Sequence, residues 1–204
     1  MIEQIAAVAG VDVSRETFER LERFVALLLD ENRRQNLIAP GSVSEIWTRH
    51  IVDGAQLLGL AGKSGSWCDI GSGAGLPGMV IAILSGQPMT LIEPRKLRAD
   101  FLRRVAAELG LRQVTVAECK VERVEGKFDL VTARAVARLD KLFSIACHLV
   151  HNETKWVLPK GENAQSELDE ARRTWQGEFR LVPSRTHPAS AIVIAEHVRR
   201  RGKR

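Results

Sequence analysis

The run Trp67-Cys68-Asp69-Ile70-Gly71-Ser72-Gly73-Ala74-Gly75-Leu76-Pro77-Gly78 decides how the rest of the chain is read. Its first four residues suit a short buried strand, and the apolar residues beyond it suit a helix over 76–86. Between them lies a turn that only small residues tolerate. Glycine there lets the backbone take positive φ and lets a ligand approach bare main chain.

Two ligand classes compete for such a loop. Gly73-x-Gly75-x-x-Gly78 matches the dinucleotide fingerprint, which opens the reading of a nicotinamide-dependent oxidoreductase. Glu93 lies about twenty residues beyond, where a ribose-binding carboxylate belongs in either class. Three features favour S-adenosylmethionine instead. Asp69 stands just before the turn, where a carboxylate suits an ammonium and a sulfonium but not a pyrophosphate. Gly71 extends the pattern to D-x-G-x-G-x-G. Pro77, near the helix start, has no N–H to offer an anion. The expected cofactor is therefore S-adenosylmethionine, leaving as S-adenosylhomocysteine. Asp69, Gly71, Gly73 and Gly75 surround it, and Glu93 accepts from its ribose hydroxyls. The duller reading of Glu93 is a surface acid capping the helix after Pro94. No Gly-Lys-Ser/Thr follows the loop, so a nucleotide-hydrolysing P-loop is excluded.

Outward from this loop, short apolar runs alternate with helical ones. Strands are expected near 67–70, 89–93, 114–118, 128–133 and 155–159, with helices over 76–86, 95–109, 138–150 and 163–174. Segments 178–186 and 190–198 read as a closing antiparallel pair. This is an α/β chain: a Rossmann-like, mostly parallel seven-stranded sheet with helices on both faces. Its chemistry belongs in the loops after residues 70, 93, 118, 133 and 159. Before it stands a small helical extension, residues 1–62, against a main domain of 63–204. Ser14 caps a helix over 14–36 whose apolar face carries Phe18, Leu21, Val25 and Leu28. Ser42-x-x-Glu45 reads as a capping box opening a helix to about residue 60, with Trp47, Ile51 and Leu58 on one side. Arg49 and Asp53, four apart, are expected to pair on its surface.

Composition sets the partners. The 204 residues carry a net charge of +5, with basic clusters at Arg33 and Arg34, along 95–104, and at Arg199, Arg200, Arg201, Lys203 and Arg204. RNA is the expected polyanion, rather than DNA or a membrane. No run approaches the about 18 apolar residues of a membrane span, and the N-terminus lacks a signal peptide's basic region. Three separated cysteines, Cys68, Cys119 and Cys147, give neither a disulfide framework nor a zinc pattern, so a cytoplasmic, metal-free protein is expected. Nothing suggests obligate assembly, and a monomer is expected.

The acceptor is narrowed by absences. Thr132-Ala133-Arg134-Ala135 stands where an exocyclic-amine methylase carries Asn/Asp-Pro-Pro-aromatic. Neither Cys119 nor Cys147 has the neighbourhood of a C5-methylating nucleophile, and both read as buried small hydrophobes. A nucleophile with a free lone pair, such as guanine N7, needs no general base, only in-line positioning. Arg134 and Lys160, at loop ends, and Arg49 and His50, on the second N-terminal helix, are the substrate-positioning candidates. His148, His151, His187 and His197 show no ligand spacing.

Asn36-Leu37, Arg49-His50-x-x-Asp53, the loop 69–78, Arg134-Ala135 and Lys160-Gly161 together resemble the small-subunit (16S) ribosomal RNA guanine-N7 methyltransferase family, also called glucose-inhibited division protein B. The likeness runs from about residue 21 to 197. It implies a bacterial enzyme that methylates N7 of one guanine of 16S rRNA, in naked RNA or the 30S subunit. It further implies that Gly71, Gly73 and Leu76 contact the cofactor, that Val121 and Glu122 meet its adenine, and that Arg134 lies on its side. The chain departs from many members at Pro94, at Leu97-Arg98 and at Lys120. A basic RNA-binding module without turnover remains as a third reading.

Overall fold

The structure is a computed structural model that describes residues 1–62 and 64–202; Lys203 and Arg204 of the basic tail lie outside the described residues, as does Lys63 at the expected domain boundary. Its centre is a sheet of β1 (Trp67–Ile70), β2 (Met89–Ile92), β3 (Val114–Ala117), β4 (Phe128–Ala133), β5 (Val150–Lys160), β6 (Trp175–Pro183) and β7 (Ala191–Arg200). The order is β3-β2-β1-β4-β5-β7-β6. The first five strands are parallel, and β7 runs antiparallel to both β5 and β6. Strand order reverses between β1 and β4, so their carboxyl ends open the crevice in which such sheets bind ligands.

Helices α1 (Ile2–Ala9), α2 (Arg15–Gln35), α3 (Asp53–Ala61), α4 (Gly78–Ser85), α5 (Lys96–Glu108), α6 (Leu139–Ala146) and α7 (Ala164–Thr174) cover it. Alternation along the strands sorts the side chains between two layers. Trp67, Leu91, Leu130 and Val157 join a core with α1 through α5, whereas Cys68, Ile70, Val131 and Trp156 join a second core with α6 and α7. In that second core the Phe143 ring meets Trp156 edge-on at 5.0 Å. The extension belongs to the first core: Phe24 of α2 is fully buried, and its ring end lies 3.5 Å from where a Cβ on Gly75 would stand. Burying such a ring stabilises by roughly 2–3 kcal/mol, so α2 props the glycine loop from below.

Ser14 caps α2 as expected, accepting from Thr17 N at 3.1 Å. Elsewhere the local readings need correction. Helix α1 was not foreseen. The Ser42–Glu45 capping box does not form. Ser42 ends a 3-10 turn, Pro40–Ser42, and its hydroxyl donates back to Ala39 O at 2.8 Å. The next segment, Trp47–Val52, winds as a π-turn that runs into α3. Arg49 does not pair with Asp53; it reaches Glu45 at 3.4 Å, while Asp53 faces Arg134. Strand β5 begins at Val150, because Thr154 bridges a register shift against β4, donating to Phe128 O at 2.6 Å and accepting from His151 N at 2.9 Å. Of the cysteines only Cys68 is buried; Cys119 is half-buried and Cys147 exposed.

Candidate active site

The glycine loop folds as the sequence requires. Gly71 and Gly73 take left-handed φ of 69° and 53°, values L side chains rarely adopt. The N–H groups of Gly71 and Ser72 both donate to Ile92 O, at 2.8 and 3.0 Å, pinning the turn to the tip of β2. Glu93 completes that clamp. Buried to 3 % exposure, it accepts from Gly73 N at 2.9 Å through Oε2 and from Arg95 N at 2.8 Å through Oε1. It therefore braces the loop and ties it to the residue that leads into α5. Each oxygen keeps a second lone pair, so a ribose hydroxyl still has an acceptor there.

Asp69 is the unusual group. Its side chain is fully buried; Oδ2 accepts from Gly78 N at 3.2 Å, and Oδ1 has no partner. Burial raises its pKa from 3.8 to about 7, with hydrogen bonds and the Arg134 charge opposing. Thr132, its register partner on β4, carries an equally unpartnered hydroxyl. Two orphaned polar atoms side by side at the strand-order reversal fit a polar or cationic ligand group. Leu76 is buried next to the loop. Val121 and Glu122 form the 3-10 turn after β3, with Val121 packed into the second core and Glu122 exposed.

Next to the loop opens a cleft of about 910 Å³. Its walls are the segment 37–53, the loop 134–138, the end of β5 and the turn between β6 and β7. Val136 divides it from the glycine loop: it lines the cleft, and its methyl lies 2.6 Å from where a Cβ on Gly71 would stand. Arg134, at the tip of β4, donates from Nη1 to His50 Nδ1 at 3.0 Å and stands 3.8 Å from Asp53 Oδ2. His50 Nε2 meets Ser42 Oγ at 3.1 Å. Since the Ser42 proton is given to Ala39 O, the ring donates from Nε2 and accepts at Nδ1, the neutral tautomer. Burial first, and the Arg134 charge second, push its pKa down to about 4.

The structure thus brings Arg134 and His50 together, as a bonded pair. Arg49 also lines the cleft but spends its charge on Glu45. Lys160 was expected as a free cation, or at dullest a solvated one. It is neither: its side chain is 11 % exposed, and its ammonium donates to Ala137 O at 2.8 Å and pairs with Glu167 at 2.9 Å, fastening the 134–138 loop to α7. Sequence reasoning missed Gln56, Ser184 and Thr186. Asp53 was legible through the Arg-His-x-x-Asp element but was given a surface role. Among the described residues no group of three or more His, Cys, Asp or Glu is placed to hold a metal ion. Nor is any helix among them long and apolar enough to cross a membrane.

Solved structures share this architecture. The glycopeptide N-methyltransferase MtfA in complex with sinefungin superposes with a TM-score of 0.63 at 10 % identity, over 72 % of this chain and 93 % of that one. The ribosomal protein L11 methylase of Lactobacillus delbrueckii subsp. bulgaricus gives 0.56 at 17 %, over 73 % and 79 %. The fold is therefore the Rossmann-like one of S-adenosylmethionine-dependent methyltransferases. Closer likeness lies in sequence: the ribosomal RNA small subunit methyltransferase G of Rhizorhabdus wittichii is 50 % identical over 196 residues, 94 % of this chain and 90 % of its own. That of Zymomonas mobilis is 48 % identical over 198, covering 92 % and 89 %. The family model described as GidB, rRNA small subunit methyltransferase G, matches residues 17–187, and the chain belongs to that family.

Proposed function

We propose that this protein transfers the methyl group of S-adenosylmethionine to N7 of one guanine in 16S ribosomal RNA, as a cytoplasmic monomer acting on the RNA or the 30S subunit. The observation that carries the reading is the adjacency of two half-sites at the strand-order reversal. One is the glycine loop with the orphaned Asp69 oxygen; the other is the cleft walled by Arg134. Asp69, Gly71, Gly73, Gly75, Leu76 and Glu93 would hold the cofactor, with Val121 and Glu122 toward its adenine. Bound there, it supplies an electrophilic methyl on a sulfonium.

The residues present suit an acceptor that brings its own lone pair. His50 cannot serve as a base, since its Nδ1 is occupied by Arg134 and its pKa sits at about 4. Lys160 is committed to Glu167. Guanine N7 carries no proton, so the protein's work is orientation and exclusion of water. Arg134 keeps N–H donors for a base edge or phosphate, and Arg49 lines the mouth. Lys160 contributes by anchoring the loop that bears Arg134.

The oxidoreductase alternative fares worse. The Gly78 N–H is taken by Asp69, and Pro77, the N-cap of α4, has none. The helix start therefore has little to give a pyrophosphate. The test is incubation with labelled methyl donor and 16S rRNA or 30S subunits from cells lacking the enzyme. One guanine labelled at N7 is expected. Label on an exocyclic amine, a ribose or protein rejects the proposal, and RNA binding without label leaves only a binding module.

A further inference from the structure

Asp53 touches both walls of the cleft. Its Oδ1 accepts from Thr186 Oγ1 at 2.6 Å and from Gln56 Nε2 at 2.8 Å, while Oδ2 faces Arg134 Nη1 at 3.8 Å. Gln56, only 2 % exposed, extends the hold on the same turn: it donates to Ser184 Oγ at 3.2 Å and accepts from Arg185 N at 3.0 Å. A carboxylate at the start of α3 thus links the arginine at the tip of β4 to the turn that joins β6 to β7. Arg134 and Asp53 are 24 % and 19 % exposed, so water screens their attraction incompletely. The other carboxylate that draws on Arg134 is Asp69, on the cofactor side. Neutral His50 adds direction to the guanidinium without adding charge. Among the described residues, the Nε and Nη2 hydrogens of Arg134 have no protein partner, which leaves them for an incoming group.

We propose that Asp53 is the positioning residue of the acceptor cleft: it holds Arg134 toward the cleft against the pull of Asp69, and it latches the 184–190 turn as the opposite wall. What enters the cleft rests on the methyl-transfer reading above; the latch does not. Two substitutions separate the arms. Asp53→Asn keeps an oxygen for Thr186 and Gln56 but removes the charge opposite Arg134. Thr186→Val removes the direct bond from Asp53 to the turn, leaves the indirect hold through Gln56, and keeps the charge.

For Asp53→Asn the expected result is a fall in kcat of about tenfold or more, with KM for the RNA and the calorimetric Kd for S-adenosylmethionine within about threefold of the parent. For Thr186→Val it is a KM raised by about threefold or more with kcat kept. Hydrogen exchange at the Arg185 and Thr186 amides should also speed by about tenfold in that variant. An unchanged kcat in Asp53→Asn overturns the first arm, as does a loss that merely follows the folded fraction seen by thermal melting. Unchanged exchange in Thr186→Val overturns the second. If the parent methylates no RNA, the proposed function falls, whereas the exchange measurement still decides the latch.

Discussion

Replacing Asp69 with asparagine should make the cofactor-free protein more stable while weakening its affinity for the cofactor. In the unfolded chain this carboxyl loses its proton near 3.8; buried in the fold it does so near 7. Between those values the folded state holds a proton that the unfolded state has released, so stability falls as pH rises through the window and levels off above it. The displacement corresponds to roughly 4 kcal/mol at most. The amide introduced by Asp69→Asn does not ionise, keeps an acceptor for Gly78 N, and places an N–H donor beside the unpartnered Thr132 hydroxyl. Urea unfolding of both proteins at pH 5 and pH 8, without cofactor, reads the effect. The variant should gain on the parent by about 2–4 kcal/mol between the two pH values, a difference in which all other titrating groups cancel. Calorimetry should show the variant's affinity for S-adenosylmethionine down by about tenfold or more, the loss of one charged partner. In the parent, affinity should rise by on the order of fiftyfold from pH 5 to pH 7, as the carboxylate that meets the cationic cofactor becomes available. A stability difference between the two proteins that does not vary with pH would refute the burial argument. Unchanged affinity in the variant would refute the assignment of Asp69 to the cofactor.

Three other outcomes follow from the site. Gly71→Ala should lower stability by about 1–2 kcal/mol through its left-handed φ, and its methyl should push on Val136; thermal unfolding and cofactor titration would both register the change. Lys160→Ala takes the cation from Glu167, leaving it only the Leu139 N–H, and frees the 134–138 loop, so we expect a loss of about 1–3 kcal/mol in urea unfolding, a raised KM for RNA and a nearly unchanged cofactor Kd. His50 should stay neutral by NMR down to about pH 4. Because the unfolded histidine takes up its proton near 6.5, stability linked to His50 is present above that value and lost as pH falls toward 4, and methyl transfer should show no titration of this ring between pH 6 and 8.

Strand, glycine turn and helix were legible because the residue types there are dictated locally, by backbone that must take positive φ at Gly71 and Gly73, even though the turn is then pinned to Ile92 and Glu93 some twenty residues on. The closing pair β6 and β7 was legible from its alternation. What escaped depends on distant partners. Lys160 looks like a loop cation until Glu167, on the following helix, and Ala137 are seen around it. Glu93 was read for ribose, yet two backbone N–H groups reach it first, one from the glycine loop and one from the residue leading into α5. Arg49 and Asp53 have the spacing of a surface ion pair in an α-helix, but the turn containing Arg49 is not α-helical, and Asp53 is claimed from across the sheet by Arg134 and Thr186. The start of β5 hid because His151-Asn152-Glu153-Thr154 is polar and is held in the sheet by a threonine bridge instead of an apolar face.

The wide turn from Trp47 to Val52 has a consequence for insertions and deletions. Each residue of an α-helix advances the winding by about 100°, and the π form takes one more residue per turn than the regular one. Deleting a single residue from this stretch would restore ordinary winding and leave a well-formed helix in place. Trp47, Arg49 and His50 would then swing around the helix axis relative to Asp53, and the imidazole would leave Arg134. A chain altered this way should lose one wall of its cleft and, with it, the stack of Trp47 on Phe18.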